Sequence, residues 1–243
     1  MTMPVIPGMP GFRSTKTAVN RIIFRDGVMT GDLSGGKVID GVKSGDPGNT
    51  GDVNVIRPGM LMGKITSAVG TPNSVVGCYA PSVIGVGTDS VGSSTTTTTI
   101  TVSPAQAVEL VRRNGASTGT LVVVSPPAAA GTVAVLTPTF TAVNQSTGAI
   151  TVSSLAANII AGALIGLNDG SIYPVTVIPD GYGVLTTDSD GTTRIPVPFN
   201  VFPTAGTIIT ANLLPVWPTD TSLQQWIYDK LNANGKFIFD YKY

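Results

Sequence analysis

The side chains that most often perform acid–base or metal chemistry are nearly absent from this chain. Its 243 residues include no histidine and one cysteine, and 12% are charged. Histidine exchanges protons most readily near neutral pH, and histidine and cysteine are the usual zinc ligands. Cys78 has no histidine to deprotonate it, so we expect a small buried hydrophobic side chain and not a nucleophile.

Two short motifs begin like ligand-binding loops but are incomplete. Gly31-Asp-Leu-Ser-Gly-Gly36-Lys37 matches a phosphate-binding loop. However, Val38 stands where a serine or threonine would hold magnesium, and no buried strand precedes the motif. Asp188-Ser-Asp190-Gly191 opens like a calcium loop and lacks the later acidic ligand, which favours a β-turn. Arg112 and Arg113 close a predicted helix, where the helix dipole and solvation explain them better than phosphate binding does.

No other constellation of catalytic residues is present. The carboxylates form no pair at helix or strand spacing typical of a glycosidase, and a serine triad requires histidine. A catalytic Ser–Lys pair remains an alternative, although no sequence motif supports it. Net charge is zero, and no basic–aromatic stripe favours nucleic acid. We therefore expect no enzyme, no cofactor, no metal ligand, no nucleic-acid partner and no membrane partner.

The elements that would position any site are predicted to be mainly β-strands, because Gly, Thr, Val, Ala and Pro dominate the composition. Ser103 should cap a helix that has Pro104 at its first position and ends at Gly115. A second helix should begin at an N-cap on Thr221 and end at Gly235, before a terminal strand. Residues 155–161 are predicted to form a helical turn.

Strands are predicted where β-branched or alternating apolar residues lie between turn signals. In chain order, these segments are 19–24, 55–66, 79–86, 95–102, 120–124, 133–140, 149–152, 163–167, 173–178, 183–187, 195–202 and 236–243. For the last of these, pairing within its own chain is favoured over pairing with a neighbour.

Residues 1–55 are predicted to form an extended arm, because prolines interrupt pairing and little apolar surface is available to bury. Such a segment orders against a partner. Its candidate contact residues are Val19, Ile22, Ile23, Phe24, Val38 and Ile39. The N-terminus lacks the basic start and apolar core of a secretory signal, and no apolar stretch reaches the ~20 residues of a membrane helix. A soluble protein made in the cytoplasm is expected.

Three separated segments together resemble the lambda-type head decoration proteins of tailed phages. The first contains a turn and an apolar–Gly–Lys–apolar–Thr strand, the second is Tyr-x-Pro, and the third is Asp-Gly-Ser. The residues that carry the resemblance are Arg57, Gly59, Gly63, Lys64, Thr66, Tyr79, Pro81, Asp169, Gly170 and Ser171. The segments cover about a third of the chain, in the order found in that family.

The resemblance implies a β-barrel or β-tulip core at 56–81 and 169–243, with an inserted α+β subdomain at 82–168. It also implies a homotrimer on the exterior of an expanded capsid, where it would contact the major capsid protein and resist internal pressure. The arm would add a strand to the capsid protein, consistent with the physics of an extended segment on a sheet edge. The expected location is the virion, after synthesis in the host cytoplasm.

Two other classes of function stay open. A tail, collar or fibre-associated virion protein, or a host-surface adhesin, would suit display of the Thr-rich inserted subdomain and carbohydrate contact. A small hydrolase using Ser–Lys or Asp chemistry would need perturbed acid–base groups, of which this chain offers few.

Overall fold

The computed structural model describes residues 37–128, 131–178 and 217–233, together with the backbone of four short strands at 184–185, 194–195, 207–209 and 238–240. The protein is mainly β, as its composition predicts, with two helices among the described residues. The helices are α1 (Pro104–Asn114) and α2 (Thr221–Asn232). The strands are β1 (Lys37–Val38), β2 (Val55–Ile56), β3 (Leu61–Lys64), β4 (Tyr79–Pro81), β5 (Gly85–Val86), β6 (Thr98–Thr101), β7 (Gly119–Ser125), β8 (Ala134–Leu136), β9 (Thr139–Asn144), β10 (Ala149–Val152), β11 (Leu164–Leu167), β12 (Pro174–Val177), β13 (Val184–Leu185), β14 (Arg194–Ile195), β15 (Thr207–Ile209) and β16 (Ile238–Asp240).

The largest sheet has seven strands in the order β5-β11-β7-β9-β10-β6, with β8 beside β7. Its strands pair antiparallel. The segment 133–140, predicted as one strand, is two: β8 pairs with one end of β7 and β9 with the other. Pro138 lies between them and has no N–H for a ladder, which explains the interruption.

The central strand β7 is buried on both faces, which explains its unbroken apolar sequence. Leu121 and Val123 belong to a cluster that includes Ala107 and Leu110 of α1. The alternate residues Val122 and Val124 belong to the cluster that contains three residues of α2. Because successive side chains of a strand point to opposite faces, the two helices cover opposite sides of this sheet.

Each of the two helices begins at a residue whose side chain caps the helix, and for α2 this residue differs from the predicted one. Ser103 caps α1 and Gly115 ends it, as predicted, and Ser103 also forms a capping box with Gln106, which was not predicted. The N-cap of α2 is Asp220, not Thr221, because its carboxylate accepts bonds from the backbone N–H groups of Ser222 and Leu223. A carboxylate at this position also favours the positive end of the helix dipole.

A second sheet of three strands, in the order β12-β3-β4, lies beside the first. Residues in and next to strand β3 also pack into two different hydrophobic clusters. Leu61 joins the α2 cluster, whereas Met60 and Met62 pack with Ile39 and Ile56 in a third cluster. Strand β16 pairs in parallel with β15, so at 238–240 the terminal strand pairs within its own chain, as favoured.

The helical turn predicted at 155–161 is wrong. Leu155 and Ile159 form isolated antiparallel bridges with Ser94 and Val91, and both side chains are buried in the α1 cluster. This spacing of four matches helical periodicity, but here it arises from an irregular chain that contacts the 91–94 segment at two points.

The arm boundary predicted at residue 55 is wrong. Val38 pairs with Arg194 in a two-stranded sheet, and Ile39 is 0% exposed in the third cluster. Asp46 is also fully buried. Residues 37–55 therefore belong to the body of this chain, and Ile39 is not available to a capsid. The other candidate arm contacts, Val19, Ile22, Ile23 and Phe24, lie outside the described residues, as do the Gly31–Gly36 and Asp188–Gly191 motifs.

One hydrophobic cluster crosses the domain boundaries expected from the sequence. Leu61, Ile172 and Val177 come from the expected decoration core, and Val122 and Leu164 come from the expected insertion. All five side chains are buried in the same cluster, so these segments share a hydrophobic core.

Candidate functional site

Residues of the first and third segments meet at one turn, which we call the motif cluster: Gly63, Thr66, Asp169, Gly170 and Ser171. The backbone N–H of Thr66 donates to the carbonyl of Asp169 at 2.8 Å. The carboxylate of Asp169 accepts from the backbone N–H of Ser171 at 2.9 Å and from its hydroxyl at 2.6 Å. These bonds form an Asx-type turn that is held against the end of β3.

Glycine is required at two positions of the motif cluster. A Cβ at Gly63 would overlap the carbonyl oxygen of Ser171, so the turn can approach β3 only because this strand residue has no side chain. Gly170 has φ of 91°, and a Cβ there would overlap the hydroxyl of Thr66. The Gly of the strand and the Gly of the turn therefore serve one contact.

Ser74 is a member of this site that the sequence analysis missed. Its hydroxyl donates to the other carboxylate oxygen of Asp169 at 3.2 Å, and both side chains are buried. The segment around Ser74 carries no recognisable motif, so only the fold reveals the contact. Asp169 has every carboxylate oxygen engaged, which indicates a structural role for this acid.

The other motif residues lie around the cluster without joining it. Arg57 forms a bidentate ion pair with buried Asp46, at 2.6 Å and 3.0 Å. In the β3–β4 ladder, Lys64 is opposite Tyr79. Lys64 is exposed, whereas Pro81 is buried. Gly59 donates its N–H to the carbonyl of Ile178 at 2.8 Å, which ties the turn before β3 to the end of β12.

A buried ionic network, the arginine clamp (Glu109, Arg112 and Arg113), joins α1 to the loop 42–46. Arg113 is 1% exposed, and its guanidinium donates to Glu109, to the carbonyl of Pro81 at 2.8 Å and to the carbonyl of Gly45 at 3.0 Å. Arg112 donates to Glu109 and to the carbonyls of Val42 and Ser44. The clamp thus ties three distant segments together.

The pKa values of Glu109, in the clamp, and of Lys43, beside it, are both shifted from their ordinary values. Burial raises the pKa of Glu109, but the charges of Arg113 and Arg112 and their hydrogen bonds outweigh it, so the pKa lies below its ordinary value of 4.5. Lys43 is buried and donates to the carbonyl of Arg113 near the C-terminal end of α1. Burial lowers the pKa of Lys43, although the charges of Asp40 and Asp169 oppose this effect.

The sequence predicts that Arg112 and Arg113 are solvated at the end of the helix. This prediction is wrong for Arg113, which is buried. The signal for the clamp was present in the sequence: Glu109 lies three and four residues before the two arginines, the spacing at which side chains meet on a helix. The carbonyl partners in the loop 42–46 had no such signal, because they are almost 70 residues away from the helix.

The described residues offer little reactive chemistry. Burial raises the pKa of the Cys78 thiol, as does the nearby charge of Asp40, so the thiolate nucleophile is disfavoured. Cys78 is half-buried, more accessible than expected. Within the described ranges, no group of three or more His, Cys, Asp or Glu side chains could hold a metal ion. No helix in the same ranges is long and apolar enough to cross a membrane.

Comparison with protein-family models, with curated proteins and with solved structures found no significant match to this chain.

Proposed function

We propose that this chain is a decoration protein that binds the outer surface of an expanded phage head and stabilises it against internal pressure. It acts without catalysis, by burying surface between protein subunits. The partners are the major capsid protein and further copies of this chain, assembled as a homotrimer.

The observation that carries the proposal is the meeting of the three resembling segments in space. Strand β3, from the first segment, pairs with β4 of the second on one side. On its other side it pairs with β12, which directly follows the Asp169-Gly170-Ser171 turn. The glycine of β3 and the glycine of the turn are both needed for their contact. Short motifs that match by chance have no reason to be mutually dependent in this way.

An exposed apolar surface supports the subunit contacts. Val42, Val75 and Val76 are 50%, 55% and 58% exposed. Asp40 holds the first two together, because its carboxylate accepts from the backbone N–H of Val42 at 3.1 Å and of Val75 at 2.8 Å. Contiguous exposed apolar surface is typical of protein-interaction sites, and we infer that these three valines form such a surface. We call these three residues the valine patch.

The proposal confines the capsid-binding arm to residues 1–36, since residues 37–55 belong to the body. Val19, Ile22, Ile23 and Phe24 remain its proposed contacts. They would add a strand to an edge of the major capsid protein.

Co-sedimentation with purified heads of the encoding phage tests the proposal. The full chain should pellet with expanded heads and stay in solution with unexpanded ones, because the acceptor site forms on expansion. A chain without residues 1–36 should bind expanded heads at least about tenfold more weakly, the equivalent of ~1.4 kcal/mol. Failure of the full chain to bind expanded heads would overturn the proposal.

A further inference from the structure

A groove of about 440 Å³ lies between the first turns of α2 and the segment just before β8. Among the described residues, its lining includes Gly131, Thr132, Val133, Thr221, Ser222, Gln225, Trp226 and Asp229. The volume is within the range of small-molecule sites, roughly 300–1,000 Å³. The groove shares no residue with the motif cluster, the arginine clamp or the valine patch.

The groove combines one aromatic ring with hydrogen-bonding groups that are mostly neutral. Trp226 is partly exposed, and the centroid of its ring lies 5.9 Å from the centroid of the Tyr173 ring. The Nε2 of Gln225 donates to Asp229 Oδ1 at 2.8 Å, which orients both side chains one helical turn apart. The amide oxygen of Gln225 and the second oxygen of Asp229 are then positioned to accept hydrogen bonds from a ligand.

The one charged residue of the described lining, Asp229, disfavours an anionic ligand. Neither lysine nor arginine is among the groove residues described. Lys230 is not in this lining, although its Nζ lies 5.4 Å from the ring centroid of Tyr173 and 5.8 Å from that of Trp226. The N-terminal amides of α2 are occupied by Asp220, so this helix end offers no free anion site.

We propose that this groove binds a neutral saccharide. The apolar C–H face of a sugar ring would stack on Trp226, as apolar groups do on an indole face. Neighbouring sugar hydroxyls would donate to the Gln225–Asp229 pair. The hydroxyls of Thr132, Thr221 and Ser222 can donate or accept, which suits ligand groups that do both. This inference is independent of capsid binding and assigns a ligand class to a separate surface.

Titration of the purified chain with defined sugars tests the inference. The chain has two tryptophans, so Trp217→Phe leaves Trp226 as the only indole reporter. The probes are glucose, galactose, mannose, N-acetylglucosamine, and the β-linked disaccharides of glucose and of N-acetylglucosamine. Binding is followed by Trp226 fluorescence, and by saturation-transfer NMR on the unsubstituted chain, which needs no variant.

At least one probe should bind in both measurements. The double variant Gln225→Ala, Asp229→Asn should weaken that binding by about tenfold or more, equivalent to ~1.4 kcal/mol. The matched control is Asp89→Asn, an exposed carboxylate away from the groove, and it should leave the affinity unchanged. Absence of binding by every probe, or equal binding by the double variant and the control, would overturn the inference. Heads are absent from this assay, so its outcome is separate from that of the capsid experiment.

Discussion

Arg113 and Lys43 are the two largest fully buried side chains among the described residues. A buried cation is tolerated only when its charge and its N–H groups are paired. Arg113 meets this condition with one carboxylate and two carbonyls, each from a different segment of the chain. Its side chain therefore fixes the loop at Gly45, the helix α1 and the end of β4 in one arrangement.

Removing this guanidinium should be costly. Arg113→Ala leaves buried carbonyls unpaired and takes one counter-charge from Glu109, so we expect a loss of about 3–5 kcal/mol in the free energy of unfolding. Arg112→Ala is the matched control, because the side chain of Arg112 is 32% exposed and water can replace part of its contacts. Urea unfolding of both variants measures the difference. Equal losses would contradict the central role assigned to Arg113.

The lowered pKa of Glu109 predicts a dependence of stability on pH. Between the lowered pKa and the ordinary value of 4.5, the folded protein binds fewer protons than the unfolded chain. Stability is therefore complete above 4.5 and falls as the pH drops through the lowered pKa. Urea unfolding at a series of acidic pH values should show this fall. Glu109→Gln should flatten it, and an unchanged slope in that variant would contradict the assignment.

At the scale of elements, the close approach of β3 to the turn 169–171 depends on a missing side chain. Gly63→Ala would force a Cβ into the backbone of Ser171, and we expect a loss of about 3 kcal/mol or more. Gly92→Ala is the control, because a Cβ there meets nothing within 4 Å. Thermal unfolding compares the two. A Gly63→Ala variant as stable as the control would show that the turn can move away from β3 at little cost.

The corrected N-cap of α2 is also testable. Asp220→Ala removes the acceptor of two backbone N–H groups and should lower stability by about 1 kcal/mol. Thr221→Ala, one residue later, should change stability by less than half of that. Chemical unfolding of both variants decides between the two capping residues, and a larger effect at Thr221 would restore the assignment made from the sequence.

Elements with local signals were predictable from the sequence. The N-cap Ser103, Pro104 at the first helical position and the end of α1 at Gly115 are close in sequence, so pattern alone located them. The contact between Gly63 and the Asp169 turn was not predictable, because the two segments are about a hundred residues apart and carry no local signal for it. The packing of the loop 42–46 against the body was not predictable, because its partners are on a helix far along the chain. Its turn-rich composition, with few apolar residues, favoured an arm.

At the scale of the whole molecule, zero net charge and few charged residues leave weak repulsion between copies. On the proposed function, the valine patch is where copies of this chain would meet. Val76→Asp should weaken self-association, because burying a carboxylate in an apolar contact is unfavourable. Val135→Asp is the control, since Val135 is 42% exposed and lies on β8, outside the patch. Analytical ultracentrifugation should show trimers for the control and fewer for Val76→Asp. Equal trimer content would remove the patch from the subunit contact.

The copy number of this chain in purified virions tests capsid decoration most directly. Quantitative mass spectrometry measures its ratio to the major capsid protein. A protein that coats the head should be present in numbers comparable to the capsid protein itself. Complete absence, or a few copies per particle as for a tail, collar or fibre component, would contradict decoration of the head.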